Sequence, residues 1–149
     1  VDDHLWFPLP DDLPRFDARM TMPNFLLNVQ IPLTDIESDE FGPTQYVPGS
    51  HYSGRPPNHP TNPSFESHGG ISIYAKAGDF YLQHGQVWHR GAPNTSTRTR
   101  YLLQCAFARR QVAQRFYPFL NYHLADHILA DASPRLQRIL GRHQKGPYG

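Results

Sequence analysis

The stretch Gly85-Gln86-Val87-Trp88-His89-Arg90-Gly91-Ala92-Pro93-Asn94, followed by Arg100, sets the reading of this chain. A short apolar, strand-like run ends in an imidazole. Gly91 then lets backbone approach closely, and Pro93-Asn94 closes the segment. An imidazole is the commonest side-chain metal ligand, and a guanidinium grips a carboxylate through two parallel hydrogen bonds. Arg100 begins or precedes the next run, Thr99 to Ala108, so a hairpin would bring it beside His89. By themselves these two residues read as a core histidine and a surface arginine. Together they outline a place where a metal and a small organic acid meet.

Outward from this stretch the pattern is one of short strands. Asn24 to Leu33 reads as a strand with Pro32 near an edge or end, and Thr44 to Val47 as a short one stopped by Pro48-Gly49-Ser50. Ile71 to Ala75 and Asp79 to Gln83 flank the turn Lys76-Ala77-Gly78, and Gln86 to His89 forms another strand. Between them, Ser53 to Gly70 is a long polar loop, a candidate lid over a binding site. After Gln111 the period changes. Leu120, Leu124, Ile128 and Leu129 fall at helical spacing, and Ser133-Pro134 resembles an N-cap with Pro at the first helical position. The expected fold is mainly β, an antiparallel sandwich or small barrel with a helical tail.

At 149 residues the chain fits one domain with its own core. Its 15 prolines and 11 glycines favour a loop-rich fold over a helical bundle. A formal net charge of +1 gives no electrostatic case for nucleic acid as a partner. No apolar stretch approaches the ~20 residues of a membrane span. The single cysteine, Cys105, excludes an internal disulfide and points to the cytoplasm or another reducing intracellular compartment. Of the nine histidines, His59 and His68 lie in the polar loop and His143 in the tail. His123 and His127 are four apart but lack the third ligand that a helical zinc site needs. His51 follows Pro-Gly-Ser and is placed to orient that turn, and His84 ends a strand, where a surface role is as good a reading as any other.

The string Phe41-Gly42-Pro43-Thr44-Gln45-Tyr46-Val47-Pro48-Gly49-Ser50-His51 resembles the N-G-P/A-T-x-x-x-P-G-S-H segment of the phytanoyl-CoA dioxygenase family. Ala77-Gly78-Asp79, Trp88-His89-Arg90-Gly91, Pro93-Asn94 and Arg100 match the second half of that family's pattern in the same order, and the resemblance extends to Arg142-His143 and Tyr148-Gly149. It implies a double-stranded β-helix (a jelly roll) that binds Fe(II) and 2-oxoglutarate and uses O₂. The metal site implied is two histidines and one carboxylate with three positions open.

The resemblance assigns the distal iron ligand to His89 and the salt bridge with the far carboxylate of 2-oxoglutarate to Arg100. The family's proximal ligands form a His-x-Asp pair, and here no histidine precedes an aspartate by two positions. The simplest reading puts a histidine immediately before Val1 and makes Asp2 the carboxylate ligand. Asp3 is a weaker choice and His4 weaker still. On this reading the 149 residues form a single oxygenase domain without its N-terminal part. Thr44 matches a hydroxyl that contacts 2-oxoglutarate in some relatives, and Gln30 points to the same face as Asn28, against cosubstrate or substrate. The implied activity is hydroxylation of a small organic molecule with release of succinate and CO₂. An aspartate at position 2 argues against the related halogenases. The competing reading is a jelly-roll binding protein without turnover, or a fragment with an incomplete metal site. Substrate identity and oligomeric state are not legible.

Overall fold

The structure, a computed structural model, describes residues 23–109, 124–140 and 142. The chain divides into two compact units, Val1–Arg109 and Arg110–Gly149. Among the described residues of the first unit six strands form two antiparallel three-stranded sheets: β1 (Leu26–Pro32), β2 (Thr44–Tyr46), β3 (Ile71–Ile73), β4 (Tyr81–His84), β5 (His89–Gly91) and β6 (Leu102–Ala108). The larger sheet has the order β4-β1-β6 and the smaller one β3-β2-β5. A single 3-10 turn, Ser50–Tyr52, follows β2. Strand pieces alternating between two facing sheets give the jelly-roll pattern expected from the sequence.

β1 is the central strand of its sheet, and its two faces differ in character. Asn28, Gln30 and Pro32 are buried, while Leu27, Val29 and Ile31 between them are half-buried. Registers place Asn28 opposite Gln83 and Gln30 opposite Tyr81 on β4. On the other side Asn28 faces Ala106 and Gln30 faces Gln104 on β6. Residues directly opposite share a face, so the buried side of this sheet carries carboxamides. The other side is apolar and partly open, with Leu82 59% and Leu103 47% exposed.

The apolar core lies elsewhere. Val47, Trp88 and Phe65 form a buried cluster. The Phe65 and Trp88 rings meet edge to face, 5.9 Å between centroids, an arrangement favoured by the ring quadrupoles. Phe65 comes from the long polar loop. Trp88 Nε1 donates to the Arg55 carbonyl at 2.7 Å, and Arg90 donates to the Thr61 carbonyl at 2.9 Å. The loop is therefore pinned against the face of the small sheet that carries Gln45, Val47, Trp88 and Arg90. Thr44, Tyr46 and His89 alternate with these residues and point the opposite way. The loop expected as a lid packs against this face through Phe65, and its Pro57, Pro60 and Pro63 line a cavity together with Trp88, His89 and Arg90.

In the second unit α1 spans Asp126–Leu129 and α2 spans Pro134–Ile139. Ser133 caps α2, its side chain accepting from the Leu136 amide at 3.2 Å, with Pro134 at the first helical position as anticipated. His127 lies in α1, and its proposed companion His123 falls outside the described residues.

Candidate functional site

The Pro48-Gly49-Ser50 segment positions the histidine strand. Gly49 takes a left-handed conformation with φ of 77°, which glycine adopts without a Cβ penalty. Ser50 is fully buried, 0% exposed. Its hydroxyl accepts from the Trp88 amide at 2.7 Å and donates to the Val47 carbonyl at 2.7 Å. Val47 N–H donates in turn to the Trp88 carbonyl at 3.0 Å. These bonds extend the β2–β5 pairing, in which Tyr46 faces His89 and Thr44 faces Gly91.

His89 is half-buried, and its Nδ1 lies 2.8 Å from the Val87 carbonyl. The tautomer that donates this bond carries its lone pair on Nε2, the state in which an imidazole binds a metal. Thr44 is 6% exposed. Its hydroxyl accepts from Tyr81 at 3.1 Å and keeps its own proton available to donate. Arg100 donates to the Gly42 carbonyl. A Cβ added to Gly91 would stand 3.7 Å from the other terminal nitrogen of Arg100. Gly91, two positions beyond His89, shares its face and gives the guanidinium room. The structure thus gathers His89, Thr44 and Arg100 around β2 and β5.

The route by which Arg100 arrives differs from the expected hairpin. β5 and β6 belong to different sheets, and Arg100 lies before β6 begins at Leu102. The chain crosses between sheets through residues 92–101. Ala92 N–H donates to the Pro43 carbonyl at 2.8 Å, and Phe41 bridges Asn94. Gly42 must be glycine at this crossing, since its φ is 66° and a Cβ would stand 2.9 Å from the Ala92 carbonyl oxygen.

Gln30 approaches the site through other side chains. Its Nε2 donates to Gln83 Oε1 at 2.8 Å, and the Tyr46 hydroxyl donates to the same oxygen at 3.0 Å. The Tyr46 ring lies 6.2 Å from that of His89 and 6.3 Å, edge to face, from that of Tyr81. Burial, reinforced by Tyr81, pushes the Tyr46 phenol far above its ordinary value, so it stays a neutral donor. Tyr46, Tyr81 and Gln83 were missed in the sequence. Their signal is weak but present: Tyr46 is two positions from Thr44, and Tyr81 and Gln83 are two apart on one strand.

Asp2, Asp3 and His4 lie outside the described residues. Among the described residues no group of three or more His, Cys, Asp or Glu side chains gathers. His89 suits one position of an Fe(II) site by tautomer, and Arg100 and Thr44 suit a carboxylate by charge and donor chemistry. His51 and His84 form a second pair, with ring centroids 4.7 Å apart. Both have lowered pKa values through burial, and His84 also through the charge of His51. His84 is half-buried. No described helix is long and apolar enough to cross a membrane.

A dioxygenase named easH from Epichloe festucae var. lolii is 28% identical over 147 residues, covering 95% of this chain and 72% of its own length. An uncharacterised protein of Mycobacterium tuberculosis is 26% identical over 106 residues, 70% of this chain, but the match spans only 36% of that protein. Among solved structures, HygX from Streptomyces hygroscopicus with nickel and 2-oxoglutarate bound is 24% identical. That match covers 60% of this chain and 40% of HygX with a TM-score of 0.41. The model of the phytanoyl-CoA dioxygenase (PhyH) family matches residues 2–102, and the chain belongs to that family.

Proposed function

We propose that the protein is an Fe(II)- and 2-oxoglutarate-dependent dioxygenase that hydroxylates a small organic molecule. The observation that carries the reading is the shared face of His89, Thr44 and Gly91, with the Arg100 guanidinium beside Gly91. His89 would hold iron through Nε2, with Asp2 as the carboxylate ligand. Iron(II) with 2-oxoglutarate and O₂ supplies the power to oxidise an unactivated C–H bond. The chain's own residues bind and orient. Arg100 engages the far carboxylate of 2-oxoglutarate, and its planar fork sets the direction of the molecule. Thr44 donates to the same carboxylate while Tyr81 holds its oxygen in place. The Val87 carbonyl keeps His89 in the ligating tautomer.

The test is succinate formation from 2-oxoglutarate by the purified protein with Fe(II) under air. Succinate release that His89→Ala abolishes supports the reading. Absence of succinate and of 2-oxoglutarate binding would leave a jelly-roll binding protein.

A further inference from the structure

Three carboxamides line the buried side of the larger sheet, and their hydrogen bonds do not close. Asn28, Gln30 and Gln83 are 3%, 4% and 2% exposed. Gln83 Oε1 accepts twice, from Gln30 and from Tyr46. Gln83 Nε2, Gln30 Oε1 and Asn28 Oδ1 have no partner among the described residues. Exchanging oxygen and nitrogen on both glutamines reverses the bond between them and turns the Tyr46 oxygen into an acceptor. It still leaves one glutamine donor and one glutamine acceptor unspent, so the imbalance does not depend on the amide assignment.

Buried, unpaired polar groups are costly, and natural interiors rarely keep three together without a partner. The same face is open beside the cluster. Gln104 and Ala106, which share its face on β6, are exposed. On the opposite side Tyr46 carries the network to His89.

We propose that Asn28, Gln30 and Gln83 form a recognition subsite for a neutral substrate group that both donates and accepts hydrogen bonds, a carboxamide or a hydroxyl. The inference rests on the oxygenase reading above and names its substrate class. The cluster holds no charge, and its unspent groups are of both kinds. A carboxylate could use only the donor and would set its lone pairs against Gln30 Oε1 and Asn28 Oδ1. An ammonium would have the opposite mismatch. Either ion would also lose its hydration without a counter-charge.

The experiment follows the side-chain amide signals of Gln30 and Gln83 by ¹⁵N NMR in the purified protein, titrated with benzamide, benzyl alcohol, benzoate and 2-oxoglutarate. Assignments come from the loss of signals in Gln83→Met and Gln30→Met. The expected result is a shift by benzamide and benzyl alcohol at concentrations about tenfold below those for benzoate. Gln83→Met should remove that preference; should it misfold, Gln30→Met serves in its place. Equal or stronger shifts by benzoate, or no shift by any of the three, would overturn the subsite. Amide preference in a protein that calorimetry shows not to bind 2-oxoglutarate would instead overturn the oxygenase reading, so the two failures are distinguishable.

Discussion

The hydroxyl of Ser50 holds the backbone amide of Trp88 at 2.7 Å across 38 positions of sequence. That bond ties the Pro-Gly-Ser turn to the residue directly before His89. It explains in physical terms why a serine stands in the turn, where a small buried side chain must accept and donate at once. Ser50→Ala leaves the Trp88 amide without its acceptor inside the core. A loss of about 1–3 kcal/mol of stability is expected, read by urea unfolding followed through Trp fluorescence. Unchanged stability would mean that water replaces the hydroxyl.

Gly42 combines a positive φ with a close approach to Ala92, and its carbonyl accepts from Arg100. Gly42→Ala is expected to destabilise by about 1–3 kcal/mol and to weaken 2-oxoglutarate binding together with stability. Calorimetry on the variant reads both. A stable variant with unaltered 2-oxoglutarate affinity would show that the crossing does not set the guanidinium.

The clamp itself is tested at Arg100. Losing a charge-assisted pair costs about 1.5–3 kcal/mol, so Arg100→Ala should raise the KM for 2-oxoglutarate by about 10- to 100-fold. Arg100→Lys should restore only part of this, because an ammonium lacks the fork. An unchanged KM would mean that another cation holds the cosubstrate.

These positions show how far the sequence reached. His89 and Arg100 were legible because their neighbours, Gly91 and the Pro-Gly-Ser turn, carry backbone information that chain order preserves. The hairpin between them was not, because nothing local says that β5 and β6 enter different sheets. β5 also begins at His89, two positions beyond the apolar Val87, since Trp88 is held by Ser50 and Phe65 on the opposite face. The network of Gln30, Gln83 and Tyr46 depends on the register between β1 and β4 and on the packing of one sheet against the other. Neither is written in any one segment.

Phe65 anchors the long loop to Trp88 and is 1% exposed. Phe65→Ala should cost about 3–5 kcal/mol and raise hydrogen exchange across residues 55–65. Slow exchange in the variant would show that the bonds from Trp88 and Arg90 hold the loop without the ring.

His51 and His84 give a pH dependence whose sign follows from their lowered pKa values. Each is harder to protonate folded than unfolded, so the unfolded chain takes up more protons as pH falls below the ordinary value of 6.5. Their contribution is complete above that pH and is lost as pH falls through the folded values. Thermal unfolding between pH 7.5 and pH 5 on the order of half-unit steps should show a declining midpoint, and His84→Phe should flatten the decline. An equal slope in the variant would remove the pair as its cause.

The most direct test of the central claim is the visible absorption of the purified protein mixed anaerobically with Fe(II) and 2-oxoglutarate. The account predicts a weak charge-transfer band that needs both components and disappears in His89→Ala. A flat difference spectrum in a folded, iron-supplied protein would contradict it.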